Sequence, residues 1–260
     1  MNPAAPAPEL TLRQALLAVV CYGLAALLSI RLSVHSGQIA APWFPNPIGT
    51  VALLALPFRR WLPMLLALGL VNLLVQLGTM PGAWRWTLQT GLEAAAFVPG
   101  NAAEMLLAAL LLRHLGLDAD TLRQPGRFGR VLILGALLPT FCSAFAGAVL
   151  VAAPAHPFAE TWTQWFAGRL IGTVAVLPLA LALWLHGTAA LRRSLRQPRT
   201  LAYLALSAAI TLLAMTTLPR PFVVMSIGLV LVATQTSFTV TTLATVVNAV
   251  LLALLHLTGG

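Results

Sequence analysis

Lysine is absent from this chain of 260 residues, and only six residues are acidic, so charged side chains make up just 8% of it. A soluble globular domain carries about 25%, and a water-facing surface cannot be built from so few. The net charge of +9 comes from arginine alone. In a soluble chain such a balance would suggest nucleic-acid binding, but a basic stripe interleaved with stacking aromatics is missing, and no nucleic-acid partner is expected. There is no Walker loop, no G-x-S-x-G, no H-E-x-x-H and no polar stretch long enough to hold a nucleotide, so the chain does not read as an enzyme. The two cysteines, Cys21 and Cys142, lie in apolar segments and read as small hydrophobes. The five histidines, His35, His114, His156, His186 and His256, sit at segment ends without H-x-x-x-H spacing, and neither a metal nor a cofactor is expected.

What is present is apolar sequence: 59% hydrophobic residues and a mean hydropathy of +0.90. A helix needs about 20 residues to cross a hydrocarbon core about 30 Å thick, so this length allows about eight to ten crossings and no second domain. Reading apolar runs against Pro, Gly and Arg punctuation places segments near 12–32, 47–57, 61–78, 87–114, 131–153, 162–186, 201–218, 221–235 and 238–257. The fold class is therefore an all-α polytopic bundle of about eight to nine crossings. Residues 1–11 form a short cytoplasmic tail, 12–257 the membrane domain and 258–260 a second tail. The second segment is too short to span unless it extends back through Trp43, and Pro99 is expected to kink the fourth. Arg13 followed by the run 15–30 resembles a signal peptide, but the run is long, lacks a cleavage site and reads as a retained first helix.

Arg59 and Arg60, then Arg113, Arg123, Arg127 and Arg130, then Arg192, Arg193, Arg196 and Arg199 fall in three alternate loops. The positive-inside bias makes those loops cytoplasmic and the N-terminus with them. Arg31, Arg85 and Arg220 are single charges on the opposite side. Nine crossings would leave Gly259 and Gly260 outside. Trp43, Trp84, Trp86, Trp162 and Trp165 collect at the expected outer ends, as an interfacial belt would.

Polar side chains within the apolar runs are the informative ones, because each costs several kcal/mol if left unpaired in hydrocarbon. Glu93 and Glu104 are eleven residues apart and share a helical face, with Gly100 and Asn101 beside them. Trp162, Trp165, Arg169, Gly172 and Val176 form one stripe on the sixth segment, with Arg169 roughly 10 Å below its outer end. A buried arginine needs a partner. Glu93 is expected at a similar depth and fits that part better than Glu104, about 16 Å further in. Glu104 would then be protonated, paired with Arg169 through long side chains, or bonded to another helix. These residues suit a ligand or proton site and suit interhelical glue equally. Asn72 with Gln76, and Asn248 with Gln235 and the Thr-rich stretch 234–245, read more as glue.

The order of motifs resembles the first type of membrane-associated sensor domain, the MASE family found N-terminal to bacterial histidine kinases and diguanylate cyclases. Trp43-Phe44-Pro45-Asn46-Pro47-Ile48-Gly49 is similar to the family's approach to its second helix. Arg59-Arg60-Trp61-Leu62-Pro63 and Asn72 follow, then Gly100-Asn101-x-x-Glu104 with Arg113, then Trp162-x-x-Trp165-x-x-Gly168-x-x-x-Gly172 with Pro178. Arg169 stands where the family's aspartate is expected, and a Glu–Arg pairing would take that acid's place. The chain also stops near where the family makes a last crossing toward an output domain.

The resemblance implies an inner-membrane sensory module that relays a small or membrane-soluble signal to a kinase or cyclic-di-GMP output. Its partners would be the lipid bilayer, an output histidine kinase or diguanylate cyclase or another membrane protein, and a second copy in a homodimer. The candidate signal-binding or coupling residues are Glu93, Asn101, Glu104, Arg169, Asn72, Gln76, Trp43, Asn46 and Trp165. A small transporter, or the substrate-binding subunit of an importer, is the alternative; a purely structural membrane protein is a third reading.

Overall fold

The computed structural model describes residues 9–35, 42–79, 87–151, 157–218 and 221–257, and within these the side chains at 33–35, 93, 150–151, 221–223 and 256–257 are not described. The expectations placed on Trp84, Arg85, Trp86, His156, Arg220, the two tails, and the side chains of Glu93, His35 and His256 lie outside the described residues.

Among the described residues the chain is all helical. Its elements are α1 (Leu12–His35), α2 (Pro45–Leu54), α3 (Trp61–Thr79), α4 (Leu88–His114), α5 (Pro125–Leu132), α6 (Leu138–Val151), α7 (Phe158–His186), α8 (Thr188–Leu195), α9 (Pro198–Thr217), α10 (Pro221–Gln235) and α11 (Phe238–Leu257). The nine apolar segments read from the sequence all appear as helices, with corrected limits. The fifth begins at Pro125, because α5 and α6 are joined by a wide π-type turn at Ile133–Leu137. Pro139 accounts for that turn: it has no N–H to return to the carbonyl of Gly135, so the chain opens one residue wider just before it. The sixth begins at Phe158, four residues earlier than expected, and the seventh at Pro198.

Seven helical stretches are long and apolar enough to cross a membrane, and the 224–235 part of α10 is a shorter apolar helix. The second segment corrects the expectation most. It does not extend back through Trp43 as helix; it starts at Pro45, which pre-sets the first turn and lacks an N–H that would go unused there, and ends at Leu54 ahead of Pro57. Ten residues rise about 15 Å, half a bilayer core. Nine of those ten residues are nevertheless buried. α2 is thus a half-helix packed against α1, α4 and α7 rather than facing lipid.

Two clusters organise the apolar packing. The larger joins α1 to α7 around Tyr22, Leu53, Leu68, Met105, Leu112, Leu177 and Leu181. The smaller, around Val232, Val240 and Ala244, holds α10 and α11 with α8 and α9 packed on it. Gly49 lets α2 sit close to α4, since a Cβ there would overlap the sulfur of Met105. Large apolar side chains such as Leu16, Leu66, Leu74, Phe145, Leu213 and Val230 point outward, and a chain in water would not leave so many exposed. Cys21 and Cys142 are exposed as free thiols among these outward-facing residues and make no disulfide.

The arginine-rich helix ends gather at one face of the bundle. Leu10 donates its backbone N–H to Ala55 (2.9 Å), tying the start of α1 to the end of α2. The Arg113 guanidinium lies over the Trp61 ring, 5.6 Å from its centroid, at the end of α4 and the start of α3. Arg199 donates to the Gln235 carbonyl oxygen (2.9 Å), and Phe128 meets Phe238 edge-on at 5.4 Å.

Candidate functional site

At the centre of the larger cluster, apolar packing gives way to a polar core drawn from α1, α2, α4, α6 and α7. α4 contributes Asn101 and Glu104, both on its inner face and both buried. The Glu104 side chain is 4% exposed and forms an ion pair with Arg169 of α7, itself 11% exposed. Glu104 Oε2 also accepts from the Ser143 hydroxyl at 2.5 Å, and Oε1 from the Thr140 hydroxyl at 3.3 Å, both on α6. Thr140 and Thr173 share a further hydrogen bond (3.3 Å) across α6 and α7. A buried carboxylate is tolerable only when paired and hydrogen-bonded, and here one guanidinium and two hydroxyls meet that requirement.

Arg169 pairs with Glu104, one of the alternatives left open for that carboxyl, while the expected pairing with Glu93 lies outside the described side chains. Because α7 begins at Phe158, Arg169 sits about 16 Å along its helix, whereas Glu104 sits about 24 Å along α4. The two helices run in the same direction, as the Phe97–Trp165 contact at 5.8 Å one level further out requires. A depth difference of about 8 Å is within reach of an arginine and a glutamate extended toward each other. Two of the alternatives left open for Glu104 therefore coexist: the long-range pair and the bonds to another helix.

The segment before α2 completes the site. The Trp43 N–H donates to the Gly168 carbonyl (3.0 Å), and a Cβ on Gly172 would overlap the Trp43 carbonyl. Glycines four apart thus let a non-helical strand of backbone lie against α7 at the depth of the ion pair. The Trp43 indole N–H donates to Asn46 Oδ1 (3.0 Å), and Asn46 Nδ2 to Asn101 Oδ1 (3.4 Å). Phe44 N–H donates to the Ser29 hydroxyl of α1 (3.1 Å). Non-helical backbone at membrane depth requires such partners, because lipid offers none.

Between α2, α4, α6 and α7 lies a small cavity bounded by Asn46, Thr50, Glu104, Thr140, Thr173 and Leu177. It leaves about 10 Å³ for the centre of a water-sized molecule, close to the minimum for one water. Its oxygen-rich lining suits a water or a proton carrier and excludes a drug-sized ligand in this state. Among the described residues no cluster of His, Cys, Asp and Glu could hold a metal.

The remaining candidates separate into two groups. Trp165 lies at the outer rim of the site, its ring against Gly147, where a Cβ would overlap it. Asn72 donates to the Tyr22 hydroxyl (3.2 Å) in a second buried pair between α3 and α1, with Asn72 Oδ1 left without a hydrogen-bond partner. Gln76 is only partly buried and does not bond to Asn72. Asn248 and Gln235 bind across the smaller cluster, Asn248 to the Ser207 hydroxyl at 2.9 Å, so they act as links between helices. Sequence reasoning missed Tyr22, Thr50, Thr140, Ser143 and Thr173. The i, i+3 spacing of Thr140 and Ser143 on one helix face, and of Arg169 and Thr173 at i, i+4, was the available signal.

The family model MASE1 matches residues 13–260, nearly the whole chain. No curated protein matches the chain, and no solved structure does.

Proposed function

The chain belongs to the MASE1 family of membrane-associated sensor domains, and on that premise we propose that the Glu104–Arg169 ion pair is the element through which it detects its signal. As a MASE1 chain it is a sensory membrane domain rather than a catalytic one. The observation that carries the proposal is a buried charge pair joining α4 to α7 at the level where the half-helix α2 begins. Two helices are thereby joined by one electrostatic contact, with α2 packed beside both of them. A cavity of about one water cannot admit a larger signal unless those helices separate. Ligand binding and displacement of α2 or α7 are then one event, and a signal with unequal affinity for the two arrangements shifts the population between them. A signal of the size of a water or a proton would act without that opening.

In this reading residues 12–257 form one sensor domain in a bacterial inner membrane, with Thr140 and Ser143 holding the charged pair, Asn46 and Asn101 bonded to each other beside it, and Trp43 and Trp165 at its outer rim. Nine crossings with the N-terminus inside are supported by the gathering of arginine-bearing helix ends on one face. α2 would complete its crossing through non-helical backbone at 42–44, shielded from lipid by α7. The output would be a histidine kinase or a diguanylate cyclase, reached through helix displacement in a homodimer or a membrane partner.

A half-helix near the midplane is also a feature of small transporters, and solute uptake into vesicles reconstituted with the full chain would favour that reading. The sensor proposal is tested by Glu104→Ala and Arg169→Ala in cells carrying the output protein. Both variants should insert and lose signal-dependent output; insertion with an unchanged response would remove the pair from the signalling path.

A further inference from the structure

Arginine at the two main basic loops is balanced differently. In the loop after α4, Arg123 and Arg127 face Asp120 and Asp118, each at 3.8 Å. The last hundred residues, by contrast, contain no aspartate or glutamate at all. Within them α8 carries Arg192 and Arg193, and Arg196 caps its end; all three are exposed, and none is in an ion pair among the described residues. Arg199, a turn further on, is turned back onto the protein against Gln235 and the Tyr203 ring. Three exposed guanidiniums therefore lie within five residues, with no ion-pair partner among the described residues.

Their position fixes the kind of anion that meets them. α8 follows α7 directly through Gly187, whose φ of +74° is a conformation that favours glycine, and a turn at 196–197 leads into α9. Both flanking helices are long and apolar enough to span, so α8 is held at the membrane boundary. Leu191 of α8 packs onto the Val232, Val240 and Ala244 cluster, which leaves the arginines outward at the depth of lipid phosphates. Guanidiniums bind phosphate oxygens two at a time, and basic residues placed immediately outside a spanning helix attract anionic lipid.

We propose that Arg192, Arg193 and Arg196 form a headgroup site for anionic phospholipid in the leaflet at the arginine-rich end of the bundle. The test uses the full chain in phosphatidylcholine nanodiscs, with spin-labelled phosphatidylglycerol and spin-labelled phosphatidylcholine as probes. The wild type should prefer the anionic probe, and the preference should weaken as salt rises. Each arginine near the surface is worth roughly fivefold in affinity, so R192Q/R193Q/R196Q should lose up to about a hundredfold at low salt. R192K/R193K/R196K keeps the charges and should retain most of the preference, which covers the case in which the glutamine variant fails to insert. R123Q/R127Q, whose guanidiniums already face carboxylates, should change little. Wild-type chain with no preference, or a glutamine variant with undiminished preference, overturns the proposal. Equal competition by inorganic phosphate would reassign the site to a soluble phosphate. Binding of a polyglutamate peptide without lipid preference would reassign it to an acidic protein surface.

Discussion

Replacing Glu104 by glutamine strands the Arg169 guanidinium. The amide can still accept from Ser143 or Thr140, so the hydroxyl contacts survive in part while the charge does not. Removing one partner of a buried ion pair costs about 3–5 kcal/mol, and because Arg169 is 11% exposed, the lower end, about 3 kcal/mol, applies. Arg169→Met should cost less, about 1–2 kcal/mol, because the remaining carboxyl keeps two hydroxyl donors and has a neutral form, which a guanidinium lacks. The double variant Glu104→Gln/Arg169→Met should lie within about 1 kcal/mol of wild type, since apolar replacement of a buried pair is often neutral. Reversible unfolding of the four proteins in mixed micelles with increasing denaturing detergent gives the coupling energy directly. A value of about 3–5 kcal/mol is expected. Additivity within about 0.5 kcal/mol would mean that the two charges do not depend on one another, and the reasoning would fail.

Other perturbations probe the surroundings. Gly172→Ala places a methyl group on the Trp43 carbonyl, a backbone atom that cannot swing aside, so thermal stability should fall by the equivalent of about 2 kcal/mol or more while Gly100→Ala, where a Cβ meets nothing, should be tolerated. Tyr22→Phe removes the acceptor of Asn72 and should cost about 0.6–1.7 kcal/mol in the same unfolding assay. In the loop after α4, the Thr121 hydroxyl above all holds the Asp118 carboxyl below its ordinary value; burial opposes it as the next largest effect, and the Thr121 backbone N–H and Arg127 add to the lowering. That contribution is present above the unfolded value of about 3.9 and is lost as pH falls through the lower folded one; carboxyl titration by NMR should show Thr121→Val raising the Asp118 midpoint toward the ordinary value. In a background lacking Cys21 and Cys142, single cysteines at Asp120 and Gln197 should react with an impermeant reagent only from the cytoplasmic side, and one at Pro157 only from the other.

The helices were legible because the apolar runs are long and their breaks carry Pro, Gly and Arg. Glu104, Asn101 and Asn46 were legible too, as rare polar groups in hydrocarbon and as parts of family motifs, and Arg169 as a charge where the family's aspartate is expected. The preference for Glu93 over Glu104 as partner of Arg169 came from a helix start placed four residues late. Each residue shifts depth by about 1.5 Å, so Arg169 was set about 6 Å too shallow, enough to make Glu93 the nearer acid. Thr140, Ser143 and Thr173 escaped because single hydroxyls in apolar helices usually return to their own backbone, as Thr216 and Thr217 do here with Leu212 and Leu213. Only the fold shows which hydroxyls face a carboxylate. The half-helix was likewise hidden: its ten residues are too few to span, and the sequence does not reveal that α1, α4 and α7 would enclose them.

The central claim is that signal detection runs through Glu104 and Arg169, and the direct measurement is signal-dependent output, as phosphotransfer or cyclic-di-GMP, in cells expressing wild type, Glu104→Ala and Arg169→Ala at matched membrane levels. Loss of response in both inserted variants is the predicted result. A full wild-type response in either would contradict it.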